Sequence, residues 1–291
     1  MRALRRVGVA ASSEFPELDA GWPELRAALT AAGLDPVVVA WDQESAGGGT
    51  LDLVIVNYCW GYVTRVGAFL AWAERTAARS LVMNPLPVLR WNSDKVYLGD
   101  LAAAGVPTVP TRFIAPGEAW SPPAGDYVIK PSVGSGGWGA ARYARSDRQA
   151  AERHVAALHE AGQTVLLQPY QQAADTAGEI AMVFFGGQFS HAVHKAALLE
   201  PDRGPAEALW EREVIAPTTP SASHLKLAKA AMAAVARRLG ETAYARVDVI
   251  DGNDGAPVVL EVELVEPSLF LPAAEGAADR FARVLAGLLG Q

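Results

Sequence analysis

The sequence predicts a mixed fold, a parallel α/β unit followed by two α+β units, and three features carry that expectation. Before residue 85, short apolar runs alternate with amphipathic stretches of helical period. Between 127 and 170, strand-like runs flank the string VIKPSVGSGGWG at 128–139, which packs four glycines into its last six positions. Beyond 179, two pairs of alternating strands are each joined by a tight turn.

Taken in order, an apolar strand at Val7 to Ala11 meets the turn-forming SSEFPELD and then a helix from Trp22 to Ala32, a β-α start. A strand at Pro36 to Ala40, the buried-looking LDLVIVN at 51–57, a helix from Gly67 to Arg79 and the strand LVMN at 81–84 continue the alternation of a small parallel domain. Pro85 and Pro87 interrupt it. NSDKVYLGDLAAAG at 92–105 then offers a capping serine or aspartate, a helix and a glycine stop, so the first boundary is placed here. Past Pro107 and Pro110 come strand TRFIA, strand YVIK at 127–130, the glycine loop, strand ARY, a helix over 147–161 and strand TVLLQPY at 164–170, a unit of antiparallel character. EIAMVFF at 179–185, the turn Gly186-Gly187 and QFSHAVHKA form a hairpin. A helix over 221–239, strand YARVDVI at 244–250, turn DGNDG, strand PVVLEVEL at 257–264 and a terminal helix from Ala273 complete the third unit. The expected units are 1–91, 92–170 and 171–291.

Composition narrows the partners. The formal charge is -7 and the basic residues are scattered, without the basic tract a phosphate backbone would need, so nucleic acid is not expected. Cys59, the single cysteine, can form no internal disulfide, and MRALRRVGVAA is interrupted too soon by SSEFPELD for a secretory signal; a reducing cytoplasm is the expected setting. No apolar run reaches membrane-spanning length, so no membrane association is expected.

Four glycines permit backbone conformations closed to other residues and let several N–H groups approach one anion, as in a phosphate cradle. The glycines alone favour an ordinary flexible hairpin loop, because neither of the common phosphate-loop spacings is present. Lys130, at the end of the preceding strand, and Lys95 upstream could reach a phosphate there, although a lysine at a strand end is usually a solvated charge. The acidic residues are more informative. Alternation puts Arg246 and Asp248 on one face of YARVDVI, and Glu261 and Glu263 on one face of VVLEVEL. Pairing of those strands gathers three carboxylates, which repel unless a cation neutralises them, and oxygen ligands beside phosphate favour magnesium. A solvated acidic face is the alternative.

NYCWGY at 57–62 follows a parallel strand at its carboxyl end, where open α/β sheets bind ligands. Asn57, Tyr58, Trp60 and Tyr62 could line a small polar pocket there or pack between domains. Cys59 has no Cys-His-Asn company, and the five histidines lack metal-ligand spacing; His191 and His194 take opposite orientations on one strand.

In chain order, Lys95, Lys130 with its glycine loop, LLQPY, RVD and then EVE thirteen residues on, the sequence resembles the ATP-grasp ligase superfamily over essentially its whole length. The resemblance implies an N-terminal parallel α/β domain and two α+β subdomains that clasp ATP. It implies that Lys95 and Lys130 contact the ATP phosphates under the loop from Ser132 to Gly139, including Ser135, Gly136 and Gly137, and that Gln168, Pro169 and Tyr170 form the hinge holding adenine. Glu179 would serve the ribose or a nearby cation, Lys195 the phosphates and Arg246 the charged intermediate. Asp248, Glu261 and Glu263 would ligate Mg2+. The superfamily usually has asparagine where this chain has Glu263, which adds a negative charge to that ligand set.

RWNSDKVYL, PTVPTRF, GGQFSHAVHKAAL and LEVELVEPSLFL resemble an actinobacterial subgroup that includes the ligase closing the ring of cycloserine from O-ureidoserine. This resemblance implies activation of a small amino-acid-like carboxylate as an acyl phosphate and attack on it by nitrogen, with Ser268 at the substrate's carboxyl end and Asn57, Tyr58 and Trp60 on the opposite wall. A homodimer is the default it suggests. An intermolecular amino-acid ligase of the D-alanine type shares the same motifs. A nucleotide-binding module without catalysis is disfavoured because Lys95, Lys130, Arg246, Asp248, Glu261 and Glu263 are all present.

Overall fold

The computed structural model describes residues 4–14, 18–43, 50–197, 199, 204–206 and 214–290. Residues 15–17 of the predicted first turn lie outside the described residues. In chain order the elements are β1 (Arg5–Ala11), α1 (Trp22–Ala31), β2 (Leu34–Ala40), β3 (Leu53–Tyr58), α2 (Val66–Ala77), β4 (Leu81–Met83), α3 (Leu86–Asn92) and α4 (Tyr97–Ala103). They continue with β5 (Arg112–Ile114), β6 (Tyr127–Pro131), β7 (Ala141–Tyr143), α5 (Arg148–Glu160), β8 (Val165–Pro169), α6 (Ala173–Ala177), β9 (Glu179–Phe185) and β10 (Gln188–Lys195). The last are β11 (Ile215–Thr218), α7 (Ala222–Leu239), β12 (Tyr244–Asp251), β13 (Pro257–Glu263) and α8 (Ala277–Leu288).

The strands make three sheets, ordered β2-β1-β3-β4, β5-β8-β6-β7 and β11-β10-β9-β12-β13. The first is parallel throughout and the other two antiparallel. In the first sheet β3 is buried at every position, because helices cover both faces of a parallel sheet; hence the unbroken apolar run LVIV.

The hydrophobic cores cross the segment limits read from the sequence. β1, α1 and Tyr58 share a core with Phe185, Tyr244 and the terminal helix α8, whose Phe281 stacks on Phe185 at 4.8 Å. Val88, Tyr97, Leu98 and Leu101 of α3 and α4 pack with α7 on β9, β12 and β13. The second sheet keeps its own core with α5, around Tyr127, Ile129, Val155 and Val165.

Two helical expectations need correction. The helix read over 92–105 is two helices, 86–92 and 97–103, with Lys95 in the turn between them. Pro85 and Pro87 do not interrupt the chain; they occupy the cap and first turn of α3, where no N–H is needed. The terminal helix starts at Ala277, after a short 3-10 turn at Leu271–Ala273, and α6 and β11 have no counterpart in the sequence reading.

β13 is an edge strand, and its outer backbone groups are satisfied by side chains. Asn92 donates to the Val262 carbonyl at 2.7 Å and accepts from Leu264 N at 2.6 Å. The Tyr97 hydroxyl accepts from Val262 N at 2.9 Å, and Asn84 donates to the Leu264 and Tyr244 carbonyls. Residues 107–109 bond Val259 on the same edge, as Val109 N to Val259 O at 3.0 Å and Val259 N to Pro107 O at 2.9 Å. The edge is thereby closed to further pairing and held in position.

His154 of α5 is buried beside Tyr143, and that burial pushes its imidazole down to about 4. Between pH 6.5 and 4 the unfolded chain takes up a proton there that the folded chain refuses, so stability present above 6.5 is lost as pH falls through this window. The loss from this group is expected to approach about 3 kcal/mol. Urea unfolding from pH 7 to 4 should show it, with a shallower slope in His154→Leu; equal slopes would remove the assignment.

Candidate active site

The site is built on β12 and β13. Their register sets Arg246 opposite Glu263 and Asp248 opposite Glu261. The intervening Val247, Val249, Val262 and Leu264 enter the core under α7, so the charged side chains share the other face. Next door, β9 begins at Glu179 opposite Lys195, the last residue of β10. Lys130 comes from β6 in the other antiparallel sheet.

These groups bind one another. Arg246 grips Asp248 with two bonds, Nε to Oδ1 at 2.8 Å and Nη2 to Oδ2 at 2.9 Å, and the same Nη2 donates to Glu263. Lys195 Nζ lies 2.9 Å from Glu179 and 3.4 Å from Asp248. Lys130 Nζ donates to Glu261 Oε1 at 2.8 Å, an ion pair spanning the two sheets. Burying charges is costly unless each is paired with good geometry, and the interleaving of signs meets that condition.

Burial alone would raise the Asp248 carboxyl, but Arg246 and Lys195 hold it below its usual range. Glu261 is likewise opposed by burial, yet Lys130 and Lys95 draw it down to about 2. For Glu263 burial wins, with the neighbouring charges of Asp248 and Glu261 adding to it, and the carboxyl rises to about 7 despite Arg246.

The charged face borders a cavity of about 470 Å³, within the size range of small-molecule sites. One wall is Val128, Lys130, the loop residues Ser135, Gly136 and Gly137, and Gln168, Pro169, Tyr170 and Gln171. The facing wall includes Gly178, Glu179, Lys195, Arg246, Asp248, Ile250, Leu260, Glu261 and Glu263, while Asp19, Trp60, Glu266 and Ser268 also border the space. At the hinge, the Arg142 guanidinium lies 3.7 Å from the Tyr170 ring centre and is held by Asp126 and Asp175. The Tyr170 hydroxyl donates to Asp175 at 2.5 Å, and its carbonyl accepts from Asn253 at 2.9 Å. The hinge is therefore tied to the β12–β13 turn.

The structure brings together Lys130, Ser135, Gly136, Gly137, Gln168, Pro169, Tyr170, Glu179, Lys195, Arg246, Asp248, Glu261, Glu263, Trp60 and Ser268. Lys95 differs: it is not among the lining residues, and its ammonium donates to the Gly134 carbonyl beneath the glycine loop. Asn57 and Tyr58 do not form the expected wall either. Asn57 is buried and donates to the Pro267 carbonyl at 2.8 Å, while Tyr58 is enclosed in the first core with its hydroxyl toward Asp19. Tyr62 packs on Phe69. The alternation of β3 continues to its end and turns these side chains into packing, leaving Trp60 at the cavity. His191 is buried and His194 lies against the Ala177 carbonyl. Sequence reasoning missed Asp19, Gln171, Gly178 and Glu266. Only Glu266 carried a signal, an acid within an otherwise apolar run.

Among the described residues, no group of three or more His, Cys, Asp or Glu stands arranged to hold a metal ion. Basic side chains hold the carboxylates of Asp248, Glu261 and Glu263 instead. The donors are nonetheless all oxygen, on one face and bordering one cavity, which suits a hard cation such as Mg2+ once phosphate oxygens complete the set. Among the described residues no helix is long and apolar enough to cross a membrane.

Residues 7–84 match the family model "D-cycloserine synthetase DcsG, N-terminal domain". Over 283 residues the chain is 38% identical to the Cycloserine biosynthesis protein DcsG of Streptomyces lavendulae, covering 92% of this chain and 94% of that one. The crystal structure of D-cycloserine synthetase DcsG superposes with a TM-score of 0.89 at 34% identity, covering 98% and 99% of the two chains. The D-alanine–D-alanine ligase of Bacillus anthracis complexed with ATP superposes at 0.66 with 17% identity, over 99% and 97%, a likeness of fold.

Gly178 has φ 63° and ψ -156°, and a Cβ there would stand 2.3 Å from the Lys195 carbonyl and 2.6 Å from His194 Nε2. Gly178→Ala is expected to lower the unfolding free energy by about 2 kcal/mol or more. Gly187→Ala, also at positive φ but facing open space, should cost about 1 kcal/mol. Denaturant titration of both variants checks this, and equal losses would mean that Lys195 yields freely.

Proposed function

The chain belongs to the cycloserine-biosynthesis family of ATP-grasp ligases, ATP-dependent enzymes, and from that premise we propose that it closes the ring of O-ureido-D-serine to give D-cycloserine. The observation that carries this reading is the cavity at which four carboxylates of the last sheet, Glu179, Asp248, Glu261 and Glu263, interleave with Lys195 and Arg246 of that sheet and with Lys130 from the second sheet. Such an array suits a ligand with several negative charges that must be moved without being released to water.

ATP lies with its adenine at the hinge, against the backbone of Gln168, Pro169 and Tyr170 and the apolar Val128, Ile250 and Leu260. Its phosphates meet the N–H groups of Ser135, Gly136 and Gly137, with Lys130 and Lys195 offsetting their charge; Glu179 stands by the ribose or a cation. Lys95 acts through the loop it anchors. Asp248, Glu261 and Glu263 would hold Mg2+, which when bound would offset charge on the transferring phosphoryl group.

The substrate carboxylate oxygen attacks the γ-phosphorus, the bond to ADP breaks, and an acyl phosphate forms. The oxygen-bound nitrogen of the ureido group then attacks the acyl carbon. Arg246 steadies the oxyanion, and phosphate departs as the C–N bond closes the ring. The carbamoyl remnant leaves as carbon dioxide and ammonia, so substrate, ATP and one water give cycloserine, carbon dioxide, ammonia, ADP and phosphate. The glycine loop excludes water from the acyl phosphate meanwhile. A homodimer in a reducing cytoplasm is the proposed setting, supported by the family resemblance and the lone buried Cys59.

Phosphate release from Mg-ATP with O-ureido-D-serine alone, and cycloserine seen by mass spectrometry, is the expected result. Release only with pairs of D-amino acids would replace ring closure by intermolecular ligation. Asp248→Asn should reduce turnover about 100-fold or more, about 2.7 kcal/mol of transition-state stabilisation, in a chain that still melts cooperatively. Undiminished turnover would remove Asp248 from the phosphate site.

A further inference from the structure

Two acidic groups at the cavity, Asp19 and Glu266, are not used by the chemistry above. Glu266 is 9% exposed, borders the cavity, and its Oε2 is buried without a hydrogen-bond partner. The other acids there are engaged: Asp248 by Arg246 and Lys195, Glu261 by Lys130, Glu263 by Arg246 and Glu179 by Lys195. Asp19 Oδ1 accepts from Gly21 N at 2.9 Å and lies 3.3 Å from the Tyr58 hydroxyl. A buried carboxyl left unpaired is costly, and a chain tolerates it where a ligand supplies the missing donor.

The backbone on either side is pinned. Tyr244 Oη lies 2.9 Å from the Val265 carbonyl, Asn57 donates to the Pro267 carbonyl at 2.8 Å, and Arg246 Nη1 donates to the Ser268 carbonyl at 3.4 Å. Glu266 therefore sits on a rigid segment whose next turn touches the guanidinium assigned to the reacting carboxyl. On that reading, a substrate carboxyl at Arg246 brings the substituents of its α-carbon toward Glu266. A carboxyl so placed favours a cationic N–H donor over a neutral or apolar group.

We propose that Glu266 receives the α-ammonium of the amino-acid substrate and selects α-amino acids over carboxylates that lack it. This rests on the proposed function only for the place of the substrate carboxyl.

The test is calorimetric binding, with a non-hydrolysable ATP analogue present, of two matched pairs: O-ureido-D-serine against 3-(ureidooxy)propanoate, and D-alanine against propanoate. The intact chain should prefer the ammonium-bearing member of at least one pair by about tenfold or more, the scale of one charge-assisted hydrogen bond. In Glu266→Gln, checked for an intact melting transition, that preference should fall to within about twofold. Equal affinity within both pairs for the intact chain, a reading that needs no variant, overturns the assignment. So does a preference that survives in Glu266→Gln, whatever group the ureido nitrogens meet. Cycloserine production beside an unchanged preference would leave ring closure standing without Glu266. Preference lost in Glu266→Gln without cycloserine production would uphold Glu266 and sink ring closure.

Discussion

The pairing of β12 with β13 is the constraint on which the rest depends. Two strands in this register must send Val247, Val249, Val262 and Leu264 one way and Arg246, Asp248, Glu261 and Glu263 the other. A shift by one residue would bury the charges under α7 and present valines to the cavity. The apolar face thus drives the register, and the register assembles the charged face. Once the charges are enclosed, desolvation demands counter-ions, which arrive from β10 as Lys195 and from β6 as Lys130.

Edge protection and site construction are the same event in this molecule. β13 would be an open edge, yet Asn84, Asn92, Tyr97 and residues 107–109 pair with its outer backbone. These groups come from the stretch joining the first sheet to the second, so the linker is locked to the strand that carries two of the acids. Tyr244 adds a further tie, its hydroxyl lying among the carbonyls of Val56, Met83 and Val265. The first sheet and the terminal helix consequently share a core with the last sheet, and the cavity's first-sheet wall is rigid. The second sheet, with its own core, meets the acids through Lys130 and reaches the β12–β13 turn through the hinge.

What was legible in the sequence follows from this. β9, β10, β12 and β13 were readable almost to the residue, because apolar runs bounded by the turns Gly186-Gly187 and DGNDG delimit them, while the bulges at 189/191 and at 248/249 broke the alternation without moving the strand ends. Residues 86–105 were misread because their helices end where Asn92 is drawn to the β13 edge, a demand made by a strand 170 positions away. NYCWGY failed for a related reason. Its composition suits a pocket, but the direction of each side chain was set by packing against Asp19, Phe69 and Pro267, which no local pattern contains.

By itself the sequence determined the order of the three sheets, the charged faces of β12 and β13, the glycine loop behind Lys130 and the kinship of the whole chain. Those properties live in local period and residue type. Only the tertiary structure decided which cation answers which carboxylate, that Lys95 reaches the loop's Gly134 carbonyl, that Trp60 alone of its aromatic cluster borders the cavity, and that Glu266 does so with an oxygen unpaired. These are statements about distances between segments far apart in the chain, and burial, which gives each its energetic weight, exists only after the segments have packed.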